Sequence, residues 1–331
     1  MQSVTSFSRS TPTRGLSTVA AYERYYRRHA ERLAREQHIE NPTPSEIVAD
    51  LILQRAGMAM STWRYRKAAV MYVIEHQHPG HHEALEALRE HGSGGLARTS
   101  GNTAGRKRKH VPLAEWTEIK HVIGRRIKEG YRHAQALLDV LEATLLTGLR
   151  PIEWSFSAFA THEESGRPVL RVTNAKHSNG RANGETRELF VDQLTDEERA
   201  TIGRALAACA AETRDDAERF KLALKHELET CRMMAVAGTR KPASSVTQYS
   251  FRHQFIADAK QTFETPLLLS AAVGHASTKT AFEHYGKRKH GRGRVRVFPT
   301  PESVAAVQNV TLETYRSYLA AQQGGRIPQV R

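Results

Sequence analysis

Residues 168–191 read PVLRVTNAKHSNGRANGETRELFV, and this stretch decides the fold class. Its ends, 168–173 and 186–191, carry β-branched and other apolar residues, whereas the middle is polar and holds Gly180 and Gly184. That pattern predicts a β-hairpin. On both sides the apolar residues return to helical spacing. Upstream, 112–128 and 134–149 read as helices, the second with Leu137, Leu138, Leu141 and Leu145 on its apolar side. Downstream, helices are expected at 196–211, 214–236 and 246–261, with shorter ones reaching Tyr285. A short strand at 295–298 and one or two helices after Thr300-Pro301 complete the chain. The expected fold class is therefore mainly α with a small antiparallel β-sheet.

The first part of the chain is helical from about Ser17. Thr43-Pro44-Ser45-Glu46 is a capping box with proline at the first helical position. It opens a helix with Ile47, Val48, Leu51 and Ile52 on one face, ended by Gly57. A second helix begins at Ser61-Thr62, with Trp63, Val70, Val73 and Ile74 for a core and Arg64, Arg66 and Lys67 on or near the other side. A third, 81–90, is built on Leu85 and Leu88. Residues 91–111, HGSGGLARTSGNTAGRKRKHV, cannot bury anything and read as a linker. The expected organisation is an arm at 1–16, a helical domain at 17–90, the basic linker at 91–111, a mixed domain at 112–298 and a helical tail at 299–331. In the tail, Val304, Val307, Leu312, Tyr315 and Leu319 are the apolar candidates.

Composition narrows the class. The 331 residues include 49 Lys+Arg against 35 Asp+Glu, a formal net charge of +14. With 39% hydrophobic residues the chain has material for real cores. Two cysteines, Cys209 and Cys231, cannot build a disulfide framework or a cysteine zinc site, which points to a reducing compartment. No stretch approaches the roughly 18 apolar residues of a membrane-spanning helix. The excess charge points to a polyanion, with nucleic acid first. Arg64, Arg66 and Lys67 in the first part, Arg106, Lys107, Arg108 and Lys109 in the linker, and Lys287 and Arg288 further on, are candidate DNA-binding residues that would contact phosphates. No phosphate-binding loop or metal-ligand spacing is present, so no cofactor and no metal are expected.

Four stretches remain: TLLTGLRPIEW (144–154), TNAKHSNG (173–180), YSFRHQF (249–255) and AAVGHASTKTAFEHYGKR (271–288). In this order and spacing they resemble the tyrosine recombinase, or phage integrase, family of site-specific DNA recombinases. The motifs span about 140 residues, and the helical domain, linker and mixed domain match the family's core-DNA-binding and catalytic domains. The resemblance implies cutting and rejoining of duplex DNA at a specific target site through a 3′-phosphotyrosyl intermediate. It implies neither ATP nor metal, a clamp on the duplex, assembly as a tetramer on two duplexes, and a cytoplasmic location.

The site roles follow by resemblance. Arg150 and Arg252 would hold the scissile phosphate, where two forked guanidiniums can neutralise charge building on the nonbridging oxygens. Glu153 would orient Arg150 as an i,i+3 partner. Tyr285 would be the nucleophile, Lys176 the general acid that protonates the departing 5′ oxygen, and His275 a further phosphate-site residue. Arg181 and Arg187 are expected to contact the DNA backbone or face solvent. His253 is expected to be structural.

Two departures from the family pattern stand out. Tyr249 occupies the place of the usual histidine; its hydroxyl can donate a hydrogen bond but, with a pKa of about 10, cannot shuttle protons at neutral pH. Tyr285 follows His275 by ten residues, one more than usual, a difference a loop absorbs cheaply. The same chemistry would also serve a type IB topoisomerase-like enzyme or a telomere resolvase, and the same fold a non-cleaving DNA-binding protein. Whether the tail packs on its own domain or on a neighbouring protomer stays open.

Overall fold

A computed structural model describes residues 15–97, 108–175, 177, 182–240, 242–278 and 288–308. The chain divides into two compact units, Met1–Arg106 and Lys107–Arg331. Among the described residues the structure is mostly helical, with one four-stranded antiparallel sheet. No helix of the described residues is long and apolar enough to cross a membrane.

The first unit is built from helices α1 (Leu16–Gln37), α2 (Pro44–Leu53), α3 (Met60–Gln77) and α4 (His82–Glu90). The capping box forms as read: Thr43 N donates to Glu46 Oε2 at 2.7 Å, and Glu46 N donates to Thr43 Oγ1 at 3.3 Å. Leu33, Ile47, Leu51, Trp63, Ile74 and Leu88 fill the core. One polar group is buried with them. His29 sits between the Tyr25 hydroxyl at 2.9 Å and the Asp50 carboxylate at 2.8 Å, so its ring is satisfied on both sides.

The basic residues of α3 are engaged within the unit. Lys67 Nζ donates to the carbonyls of Arg89 at 3.3 Å and His91 at 3.0 Å, closing the exposed C-terminus of α4. Arg64 donates to Ser93 Oγ, and the Arg66 guanidinium lies over the Tyr25 ring. Lys67 and Arg64 therefore fasten the chain where it leaves α4, and Arg66 lies against α1.

The second unit opens with α5 (Leu113–Lys128) and α6 (Ala134–Thr147), followed by a 3-10 turn at Glu153–Phe156. Strands β1 (Ser157–Thr161), β2 (Pro168–Thr173) and β3 (Thr186–Phe190) come next. Helices α7 (Asp196–Cys209), α8 (Arg214–Ala235), α9 (Gln248–Thr262) and α10 (Pro266–Ala272) follow. Strand β4 (Phe298–Pro299) and α11 (Pro301–Ala305) close the described part. The sheet order is β1-β2-β3-β4, and the expected hairpin is the β2–β3 pair, with Val169 opposite Phe190.

Two expectations about the sheet need correction. Strand β1, SAFAT, was not expected, because its Ser, Ala and Thr residues lie mostly on the surface and give no apolar alternation. The strand expected at 295–298 pairs only through Phe298 and Pro299, opposite Phe190 and Leu189. Val295 and Val297 are buried in the core without joining the ladder. The start of the tail lies on its own unit: Ser303 O accepts from Asn183 Nδ2 at 3.2 Å, and Gln308 N donates to Ala276 O at 2.9 Å. Residues 309–331, including Leu312, Tyr315 and Leu319, lie outside the described residues.

Helix α6 packs against α9, and its end sets up the site. Gly148 takes φ 68° as the C-cap, and a Cβ there would lie 2.2 Å from Phe255 Cδ1. Gly148→Ala combines a left-handed backbone with overpacking, so we expect a loss of about 3 kcal/mol in chemical denaturation. A loss below about 1 kcal/mol would contradict this packing.

Candidate active site

The turn after α6 carries Arg150, and the 3-10 turn begins with Glu153. Both are buried, Glu153 at 1% exposure and Arg150 at 5%. Glu153 binds more than its expected partner. Its Oε1 accepts from Arg150 Nη1 at 2.5 Å and from Ala175 N at 3.2 Å. Its Oε2 accepts from Arg150 N at 2.8 Å and Arg187 Nη2 at 2.9 Å, with Arg252 Nη1 at 3.9 Å. The expected i,i+3 pair with Arg150 forms, inside a buried hub. Burial alone would raise its pKa, but Arg187, Arg150 and Arg252 outweigh burial and hold the carboxyl well below the usual range.

Arg187 corrects the sequence reading most sharply. Expected at the DNA backbone or facing solvent, it is 1% exposed. Strand alternation places it on the inner face with Leu189, and its charge is satisfied there. Nε donates to Ala272 O at 3.0 Å, Nη2 donates to Glu153, and Nη1 donates to Asn174 Oδ1. Arg187 thereby joins the sheet, the β2–β3 connection and the end of α10. The inward alternation of β3 was the available signal, since Arg187, Leu189 and Val191 share one side.

Arg252 comes from α9, whose N-terminus is closed by Thr247 N donating to Ser250 Oγ at 2.9 Å. Its Nη1 donates to Gly148 O at 2.5 Å and Nη2 to Val273 O at 2.7 Å. Those carbonyls fix the guanidinium plane between the α6 and α10 termini. Gly274 follows Val273 with φ 68°, and a Cβ there would meet Asn174 Oδ1 at 2.5 Å and Arg187 Nη1 at 2.7 Å. The glycine before His275 therefore has a steric reason. Its carbonyl accepts from Arg150 Nη2 at 3.4 Å.

His275 is 3% exposed. Burial first, then the charges of Arg252, Arg150 and Arg187, push its pKa down to about 2, so the imidazole is neutral at physiological pH. His253 is lowered to about 4, mainly by burial. Both histidines bind fewer protons folded than unfolded, so stability is lost as pH falls below about 6.5. Glu153 adds to this below its own ordinary range. We expect the apparent Tm to fall between pH 7 and pH 5, with each histidine contributing up to roughly 2 kcal/mol, and His275→Asn to flatten the profile. A wild-type profile unchanged over that interval would contradict it.

The structure thus brings Arg150, Glu153, Arg187, Arg252 and His275 together. Among the described residues, three guanidiniums meet one carboxylate in this buried cluster. Forked guanidiniums set this close together suit an anion with several acceptor oxygens. Asn174 and Ala175 are tied to Arg187 and Glu153, which fixes the chain immediately before position 176.

Other expected residues lie elsewhere or outside the described residues. Tyr249, on the first turn of α9, is 47% exposed and lines a surface cavity with Pro151 and Ile152. Arg108 pairs with Glu115 at 3.1 Å, Lys109 is exposed, and Arg288 is exposed with its carbonyl accepting from Gln261 Nε2 at 3.0 Å. Arg106, Lys107, Lys176, Arg181, Tyr285 and Lys287 lie outside the described residues.

No family model and no curated protein matches the sequence. Among solved structures, a lambda integrase (residues 75–356) dimer bound to a COC′ core site is similar at 13% identity and TM-score 0.45, over 87% of this chain and 94% of that one. A lambda integrase tetramer bound to a Holliday junction gives 12% identity and TM-score 0.44, over 86% and 80%. Protelomerase TelA, covalently complexed with substrate DNA, gives 13% identity and TM-score 0.42, over 94% and 93%. At these values the functional reading rests on the site itself.

Proposed function

We propose that this protein is a site-specific DNA recombinase that cuts and rejoins duplex DNA through a 3′-phosphotyrosyl intermediate. The observation that carries the reading is the buried convergence of Arg150 and Arg252 on the Glu153 carboxylate, with the buried His275 in the field of the same charges, from three separate sequence motifs. A phosphodiester held there would present its oxygens to forked guanidinium donors. As its phosphorus is attacked, charge grows on the nonbridging oxygens, where Arg150, Arg252 and the neutral His275 ring can donate. Tyr285 is the proposed nucleophile: its phenol gives up its proton to solvent, and the oxygen bonds to phosphorus as the bond to the 5′ oxygen breaks. Lys176 is the proposed donor of the proton taken up by that oxygen. The phosphotyrosyl bond conserves the phosphodiester's energy, so attack by a free 5′ hydroxyl reverses the step without ATP.

Glu153 and Arg187 are assigned the positioning of the arginines, and the Tyr249 hydroxyl, at the surface cavity, a hydrogen bond to a phosphate neighbouring the scissile one. The reading includes self-association as a tetramer on two duplexes, with the exposed basic residues on the DNA backbone. With about 6–10 phosphate contacts, affinity should drop roughly 10³–10⁵-fold between 50 and 200 mM salt, as fluorescence anisotropy would show. A flat salt response would contradict the grip on the backbone. The chemistry is tested with a nicked suicide duplex carrying the target site, on which the wild type should form an SDS-resistant protein–DNA adduct.

A further inference from the structure

A cavity of about 440 Å³ opens between α8 and the first turn of α9. That size falls within the range of about 300–1,000 Å³ typical of small-ligand pockets. Its floor is apolar, made by Pro151, Ile152 and Leu228. At its rim stand Leu222 and Tyr249, each 47% exposed, an unusual concentration of large apolar surface on one feature. Three cations line the same cavity, Lys221, Lys225 and Arg232, against one carboxylate, Glu229. Arg232 is anchored by Nη1 donating to Val246 O at 2.8 Å, and its Nε is buried with no hydrogen-bond partner among the described residues. Lys221 pairs with Glu218 one turn away, an exposed ion pair of small worth that a phosphate can replace.

An aromatic ring beside an apolar floor suits a flat, unsaturated group; lysines around it suit that group's anionic neighbours. A phosphate alone would leave the apolar surfaces without a purpose, and an apolar ligand would leave the cations so. The cavity also begins at Pro151, the residue following Arg150, and at Tyr249, three residues before Arg252. We propose that it binds an unpaired nucleotide of the DNA strand, its base against Tyr249 and Leu222 and its flanking phosphates on Lys221 and Lys225. A strand whose phosphate is held by Arg150 would then have a neighbouring base drawn out of the stack, a step that lowers the cost of parting strands beside the cut. The identity of the ligand rests on the strand-cleavage reading; the existence of the site does not.

The test uses the full chain and a single-stranded thymidine oligonucleotide carrying one 5-iodouracil, irradiated and mapped by mass spectrometry. The cross-link is expected on Tyr249. It should persist in Tyr249→Phe, which keeps the ring, and fall about tenfold in Tyr249→Ala and in Leu222→Asp, a surface change. Competition should favour the thymidine oligonucleotide over one with abasic positions by about tenfold. Cross-links mapping away from this cavity, equal cross-linking when the iodouracil is paired in a duplex, or equal competition by the abasic strand would overturn the proposal. Because photo-cross-linking needs no strand cleavage, the two readings separate. Cross-linking at Tyr249 without a phosphotyrosyl adduct would keep the pocket and remove the recombinase assignment, and an adduct without the cross-link would do the reverse.

Discussion

Glu153→Gln is expected to destabilise the second unit by about 3–5 kcal/mol, the cost of removing one partner from a buried ionic cluster. The carboxylate lies at 2.5 Å from Arg150 Nη1, 2.9 Å from Arg187 Nη2 and 3.9 Å from Arg252 Nη1. A neutral amide keeps the shape but removes the carboxylate charge that the three guanidiniums share. At roughly 2–4 °C per kcal/mol for a unit of this size, the apparent Tm should fall by about 10 °C. Inorganic phosphate or sulfate should restore part of the loss, because either anion can supply the missing charge in the same place. A change below about 1 kcal/mol would show that the carboxylate does not compensate the arginines.

The second large effect is expected at Tyr285. Tyr285→Phe removes one oxygen, and with it the only atom of that side chain able to form the phosphotyrosyl bond. Adduct formation should be abolished while affinity for DNA is kept, since the lost hydroxyl is one contact among the many made by the basic residues. The neighbouring His284 stands at the more usual distance from His275 and offers no route to the same stable link.

How much of this was legible depended on whether a residue's partner lay nearby in sequence. The β2–β3 hairpin announced itself through apolar ends around a polar middle, and the Thr43 helix start through local side-chain chemistry. Arg150, Arg252 and His275 were legible because each sits in a short recognisable motif. The buried role of Glu153 was not: Arg187 and Arg252 reach it only after the sheet and α9 have packed. Arg187 itself was misread because a charge in a polar hairpin is ordinarily solvated, and only the alternation with Leu189 and Val191 pointed inward. Strand β1 was missed for a different reason, since an edge strand of Ser, Ala and Thr leaves little apolar pattern to detect.

These features converge on one proposed chemical claim, that the arginine cluster holds a phosphodiester while Tyr285 takes over one of its bonds. The most direct test places the wild type and Tyr285→Phe on the same nicked suicide duplex and resolves the products under denaturing conditions, with proteolysis and mass spectrometry of any adduct. The account predicts a covalent wild-type complex with DNA on the Tyr285 peptide and no complex for the variant, which still binds. An adduct of undiminished yield in Tyr285→Phe, or one mapped to another residue, would contradict it.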